Sequence, residues 1–132
     1  MRRCLLLAVC VMVCLAGWAQ QARKAYCELT VWSGQSSMLN VVVTIDLGMQ
    51  NYPTASIYGA DGKPVTFISN MDAVNYMAKR GWTVVSTYYK THSQLESAHY
   101  VMEKSVTNES QVTKGLTLKP INIKTGFPGT KP

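Results

Sequence analysis

No glycine-rich phosphate loop and no serine elbow occurs in this chain, so neither phosphoryl transfer nor serine hydrolysis announces itself through a motif. Acidic residues are scarce, seven in all. Of these, Asp61 belongs to a turn and Asp46 to a strand end, and neither stands in a recognisable acid–base arrangement. Lysines recur through the last twenty residues with a single interleaved aromatic, Phe127, which is not the footprint of a nucleic-acid binder. Internal repeats are absent. What remains is a chain of 132 residues, 47% apolar and only 15% charged, the composition of one globular domain.

Long hydrophobic runs are also missing, with one short exception at the front. Met1-Arg2-Arg3 is followed by an uncharged stretch from Cys4 to Ala16, then Gly17-Trp18-Ala19-Gln20. About thirteen apolar residues fall short of the roughly twenty that a spanning helix needs, and small residues at Gly17 and Ala19 suit cleavage before Gln20. Residues 1–19 therefore read as a secretory signal peptide, and the rest as an exported chain without stable membrane insertion. Leu7-Ala8-Val9-Cys10 and Val11-Met12-Val13-Cys14 fit a lipidation box poorly, and Arg2-Arg3 lacks most of a twin-arginine motif.

Three of the four cysteines, Cys4, Cys10 and Cys14, leave with that peptide. Only Cys27 stays, so no intramolecular disulfide can form, and its alternation with Leu29 and Val31 argues for burial rather than pairing. Without Arg2 and Arg3 the thirteen basic residues become eleven against seven acidic, a net charge of about plus four. The surface is diffusely basic, the usual result of a solvated face.

The periodicities predict an antiparallel α+β domain over residues 20–105. Strands are expected at 25–33, with Cys27, Leu29 and Val31 in phase, and at 40–47, with Val41, Val43, Ile45 and Leu47 in phase. A short strand at 55–59 turns at Ala60-Asp61-Gly62-Lys63, where Asp61 and Gly62 supply the angles of a tight turn, and 65–68 returns beside it. Ser69 or Asn70 caps a helix with Val74, Met77 and Ala78 on its apolar side, and Gly81 stops it. Trp82 packs at the helix–strand corner, followed by a strand through Lys90, a polar loop at 91–97, and a return strand at 98–105. Residues 106–132 read as a flexible tail, with alternation at 116–124 that could form an edge strand. The expected architecture is a small antiparallel sheet with one helix packed on one face.

From Ile45-Asp46-Leu47-Gly48-Met49-Gln50, through Asp72-Ala73-Val74-Asn75-Tyr76-Met77 and Gly81-Trp82, to His99-Tyr100-Val101-Met102-Glu103-Lys104, the chain resembles small bacterial domains of unknown function. These share a helix ending in Gly-Trp, a following strand and a closing strand ending in lysine, and this chain resembles their exported branch over residues 25–105. Thr83 stands where such domains more often carry glutamate, so no role of that acid transfers. The resemblance implies an antiparallel α+β fold and no activity.

Several groupings invite chemistry. His92, Glu96 and His99 would share a face if helical, giving a metal reading, but their segment reads as loop and strand. Cys27 with His99 as base would need a partly exposed thiolate. Tyr88, Tyr89 and other aromatics could form a platform for a glycan or small ligand, although most rings in so small a domain serve the core. The leading expectation is an exported, non-enzymatic module of the periplasm or the cell exterior that binds a protein or envelope component, with no cofactor. Contact is expected through His99, Tyr88 and Tyr89, a sheet edge or the tail. A small-ligand or glycan binder is the alternative, and a metal-dependent protein the third.

Overall fold

Alternation at Cys27, Leu29 and Val31 builds the central strand of the molecule. A computed structural model describes residues 21–33, 40–50, 54–92 and 95–121; the signal peptide, the end of the tail from 122, and the breaks at 34–39, 51–53 and 93–94 lie outside the described residues. The strands are β1 (Arg23–Ser33), β2 (Val42–Asp46), β3 (Ala55–Tyr58), β4 (Thr83–His92), β5 (Leu95–Val106) and β6 (Thr117–Pro120), with helix α1 (Asn70–Ala78) between β3 and β4. They form one six-stranded sheet in the order β4-β5-β1-β2-β3-β6, and every pairing is antiparallel. The fold is α+β, with one α-helix and one antiparallel sheet among the described residues. None of the described helices is long and apolar enough to cross a membrane.

The core lies on one face of this sheet. Leu29 and Val31 from β1, Ile45 from β2, Ala55 and Ile57 from β3 and Met102 from β5 meet Ala73 and Met77 of α1, with Phe67 and Trp82 at the helix ends. Helix α1 buries Ala73 and Met77, four apart, and leaves Ala78 exposed. The apolar side is thus turned from the expected Val74-Met77-Ala78 set by the i, i+4 pair that points at the sheet.

Helix α1 starts and stops by local chemistry. Ser69 Oγ accepts from the Asp72 N–H at 3.1 Å, and the Asp72 carboxylate accepts from the Ile68 N–H at 3.1 Å, a reciprocal cap that satisfies an otherwise orphaned helix donor. At the far end Gly81 takes φ 86°, its N–H donates to Ala78 O at 3.0 Å, and the Trp82 N–H donates to Met77 O at 3.3 Å. This pair of bonds around a left-handed glycine turns the chain sharply from helix to strand. Trp82 is delivered into the core at 1% exposure.

Three elements depart from the periodic reading. The segment 65–68 does not form a strand beside β3: a single bridge joins Tyr58 and Pro64, flanked by Gly59 N–H to Lys63 O at 2.8 Å and Val65 N–H to Ile57 O at 2.9 Å, after which Phe67 bridges Val41, and β3 pairs with β2 and β6 instead. The polar stretch 91–97 is mostly strand, since β4 runs to His92 and β5 begins at Leu95. Within the expected tail, residues 107–121 pack on the fold, and β6 falls inside the stretch 116–124 read as a possible edge strand. Val112 is buried, Leu116 and Leu118 pack against the core, Lys104 Nζ donates to Gln111 O at 2.8 Å, and β6 forms the sheet's far edge beside β3.

Candidate functional site

On the face opposite the helix, register places four residues in a row across the strands: Tyr88 of β4 opposite His99 of β5, His99 opposite Thr30 of β1, and Thr30 opposite Thr44 of β2. Glu28 and Ser97 flank the row, each two residues from a member of it, and so share its face. This should be the solvated side of a one-helix sheet. Yet His99 is 6% exposed and Ser97 2%, with Thr30 and Thr44 also buried.

The burial is achieved by a hydrogen-bonded network with an aromatic cover. His99 Nδ1 lies 2.8 Å from Glu28 Oε1 and 3.3 Å from Thr30 Oγ1, while Nε2 lies 2.9 Å from Ser97 Oγ. Tyr88 stacks on the imidazole, ring centroids 4.6 Å apart and planes inclined by 10°, and donates its hydroxyl to Glu28 Oε2 at 2.7 Å. Both carboxylate oxygens of Glu28 are therefore engaged. Burial opposes its charge, but the Tyr88 hydroxyl and His99 outweigh that and hold the carboxyl below its ordinary range. The same bond raises the Tyr88 phenol, since ionising it would lose a donor and set two anions side by side.

The partners define the tautomer. A carboxylate facing Nδ1 requires a proton there, so neutral His99 carries Nδ1–H and accepts from the Ser97 hydroxyl at Nε2. A protonated imidazole would instead donate from Nε2 to Ser97 Oγ, whose hydrogen then turns to the Lys90 carbonyl oxygen, 3.3 Å away.

Serine, histidine and acid in this order reproduce the connectivity of an acyl-transfer triad. The surroundings do not support that chemistry. Ser97 is only 2% exposed, which leaves its Oγ little access to a substrate carbonyl. Its neighbour is the Lys90 carbonyl, an acceptor where an oxyanion needs donors. The arrangement joins β1, β4 and β5 side chain to side chain.

Residues singled out from sequence fall as follows. Glu96 and His99, three apart on β5, point to opposite faces of the sheet, and no cluster of three metal-ligating side chains occurs among the described residues; His92 closes β4. Cys27 and His99 are also on opposite faces, because Cys27 joins the core whereas His99 faces Thr30, and burial, reinforced by Asp46, pushes the Cys27 thiol up to about 12. That removes the thiol–imidazole pair. Tyr88 and Tyr89 are adjacent on a strand and so face opposite ways, which leaves no shared concavity for a glycan. His99 is corrected from a surface contact to a buried one, covered by Tyr88. Tyr89 is 73% exposed. Asp61 Oδ1 accepts from the Lys63 N–H at 3.1 Å, and Gly62 takes φ 75° in the same turn.

Sequence reasoning missed Glu28, Thr30 and Ser97. The available signals were Ser97 and His99 two apart on one strand, and an acid at position 28 between inward-facing residues. Comparison with family models, curated proteins and solved structures returned no match for this chain.

The other feature of possible recognition is an edge. Among the described residues β4, a ten-residue strand, is paired on one side only, by β5. Val85 is the extra residue of a β-bulge between Val84 and Ser86, and it is 49% exposed. β6, the opposite edge, has four residues and ends in Pro120.

Proposed function

We propose that this chain is an exported, non-enzymatic interaction module that binds a protein or envelope component along the free edge of β4. One observation carries the reading: a ten-residue edge strand presenting Val85 and Tyr89 to solvent. An edge of this length offers a row of backbone donors and acceptors to an extended partner segment, while exposed side chains supply selectivity. The network behind it stiffens the strand, since Tyr88 is tied to both His99 and Glu28. Ser97 is buried, which favours a structural role for its contact with His99 over nucleophilic attack. The signal-peptide form of residues 1–19 supports placement in the periplasm or outside the cell.

The test is a crosslinked pull-down from the native envelope and medium, comparing the wild-type protein with Tyr89→Ser and Thr87→Pro, each checked for folding by circular dichroism. A partner captured by wild type and lost from both folded variants supports recognition by this edge. Capture that is indifferent to both moves the contact elsewhere, and a wild type that captures nothing reproducibly overturns the proposal.

A further inference from the structure

Between the end of α1 and the β3–β6 edge lies an open cleft of about 490 Å³, lined by Tyr58, Val65, Tyr76, Arg80 and Leu116 among others. Its volume is within the range of small-ligand sites, about 300–1,000 Å³. No acidic side chain lines it.

Arg80 is the one charged group in that lining. Its Nε donates to Gly115 O at 2.6 Å and its Nη1 to Tyr76 O at 2.7 Å, while the guanidinium carbon lies 3.4 Å from the Tyr76 ring centroid. Two carbonyls and a ring thus fix the plane of the group. Gly115, at φ 80°, has the aliphatic part of Arg80 packed where a Cβ would point, the nearest carbon at 3.5 Å. Among the described residues no carboxylate pairs with Arg80, the ion pairs being Arg23–Glu109, Lys24–Glu103 and His99–Glu28. Carbonyl partners hold the guanidinium without neutralising it, and among the described residues Nη2 has no protein acceptor.

We infer that this cleft is a binding site for a small carboxylate, with Arg80 as its anion-recognising group and Val65 and Leu116 as the apolar wall for the body of the ligand. A planar guanidinium already fixed in place loses little further rotamer freedom on binding and presents its donors in the geometry that a carboxylate accepts. An acidic sugar and a peptide-like acid both carry the required group.

The experiment is an NMR titration of the ¹⁵N-labelled protein, purified from its native cells, with glucuronate and with hippurate. Glucose and hippuramide serve as neutral counterparts. Saturable shifts of the Arg80 side-chain Nε–H and the Gly115 and Leu116 amides, given by the acids and not by the neutral compounds, are the expected result, and the acid that binds more tightly distinguishes sugar from peptide-like ligands. Arg80→Gln should weaken that binding at least tenfold, and Arg80→Lys should restore part of it. Because Arg80 also tethers the 107–116 segment, the wild-type comparison of acid with neutral counterpart decides the matter if Arg80→Gln fails to fold. Absence of saturable shifts at these positions into the tens of millimolar, or equal shifts from acids and neutral compounds, overturns the inference.

Discussion

Leu29 and Met102 on the helix side of the sheet, and His99 and Ser97 on the other, are nearly equally withdrawn from water, yet by opposite means. On the helix side burial comes from apolar contact, and each fully buried Leu, Val or Met side chain contributes about 1.5–3 kcal/mol. On the far side it comes from saturation: every nitrogen of His99 and both carboxylate oxygens of Glu28 have partners. A satisfied polar contact contributes only about 0.5–1.5 kcal/mol net, but an unsatisfied one costs more than that. The first face stabilises the domain through area; the second fixes which residues of β1, β4 and β5 lie opposite one another.

The largest effect that tests this contrast is expected at Trp82. Trp82→Ala should cost about 3–5 kcal/mol in denaturant unfolding, the range for removing a buried aromatic ring. Trp82→Phe should cost much less, because the indole Nε1 is buried without a hydrogen-bond partner among the described residues and its loss gives something back. If the alanine variant keeps wild-type stability, the helix–strand corner is not part of the core.

Cys27 probes the same face through pH. Burial, with Asp46, raises its thiol from an ordinary 9.0 to about 12, so the folded state retains a proton that the unfolded state gives up. This contribution is complete below about pH 9 and disappears as pH rises toward about 12, amounting to about 4 kcal/mol at 1.36 kcal/mol per unit. Wild type should therefore lose stability more steeply than Cys27→Ala over that interval, measured by urea unfolding at successive pH values. Parallel slopes would show that the thiol is solvated.

The two faces also differ in how far the residue order reveals them. Cys27-Glu28-Leu29-Thr30-Val31 alternates plainly enough to place β1, and Ser69, Gly81 and Trp82 mark the helix boundaries by chemistry confined to a few neighbours. Strand partners are another matter. β3 lies against β6, some sixty residues later, and nothing in Ala55–Tyr58 distinguishes that partner from 65–68. Alternation also equates the non-core side with solvent, which hides Glu28 and His99. Their contact spans 71 positions and becomes visible only once the β1–β5 register sets Thr30 opposite His99. Polarity misled in the same way at 91–97, where side chains that look loop-like belong to paired strands.

On the polar face, Glu28→Ala should cost about 1–3 kcal/mol, less than Trp82→Ala, by leaving the His99 Nδ1–H and the Tyr88 hydroxyl short of their acceptor. Acid should reproduce part of that loss. With its carboxyl held below the ordinary value of 4.5, Glu28 gives up a proton more readily in the folded state, so its contribution is present above about pH 4.5 and is lost as pH falls through the lowered folded value. A Glu28→Gln variant should show a shallower fall in stability between about pH 5 and 3 than wild type. An identical acid limb in the two proteins would mean that the carboxylate is solvated in the folded state.

The smallest effect, and the sharpest test of saturation against area, belongs to Tyr88→Phe. The substitution keeps the ring stacked on His99 and removes only the hydroxyl that donates to Glu28 Oε2, so it should cost about 0.5–1.5 kcal/mol. It should also raise the Glu28 carboxyl, observable by NMR titration of its side-chain carbon, because one of the bonds that favours the anion has gone. Tyr88→Leu would remove the cover as well as the bond and admit water to the imidazole. A measurable gap in stability between the Phe and Leu variants would assign the burial of His99 to the ring, whereas equal losses would assign it to the hydrogen bond alone and remove Tyr88 as the element that makes this face dry.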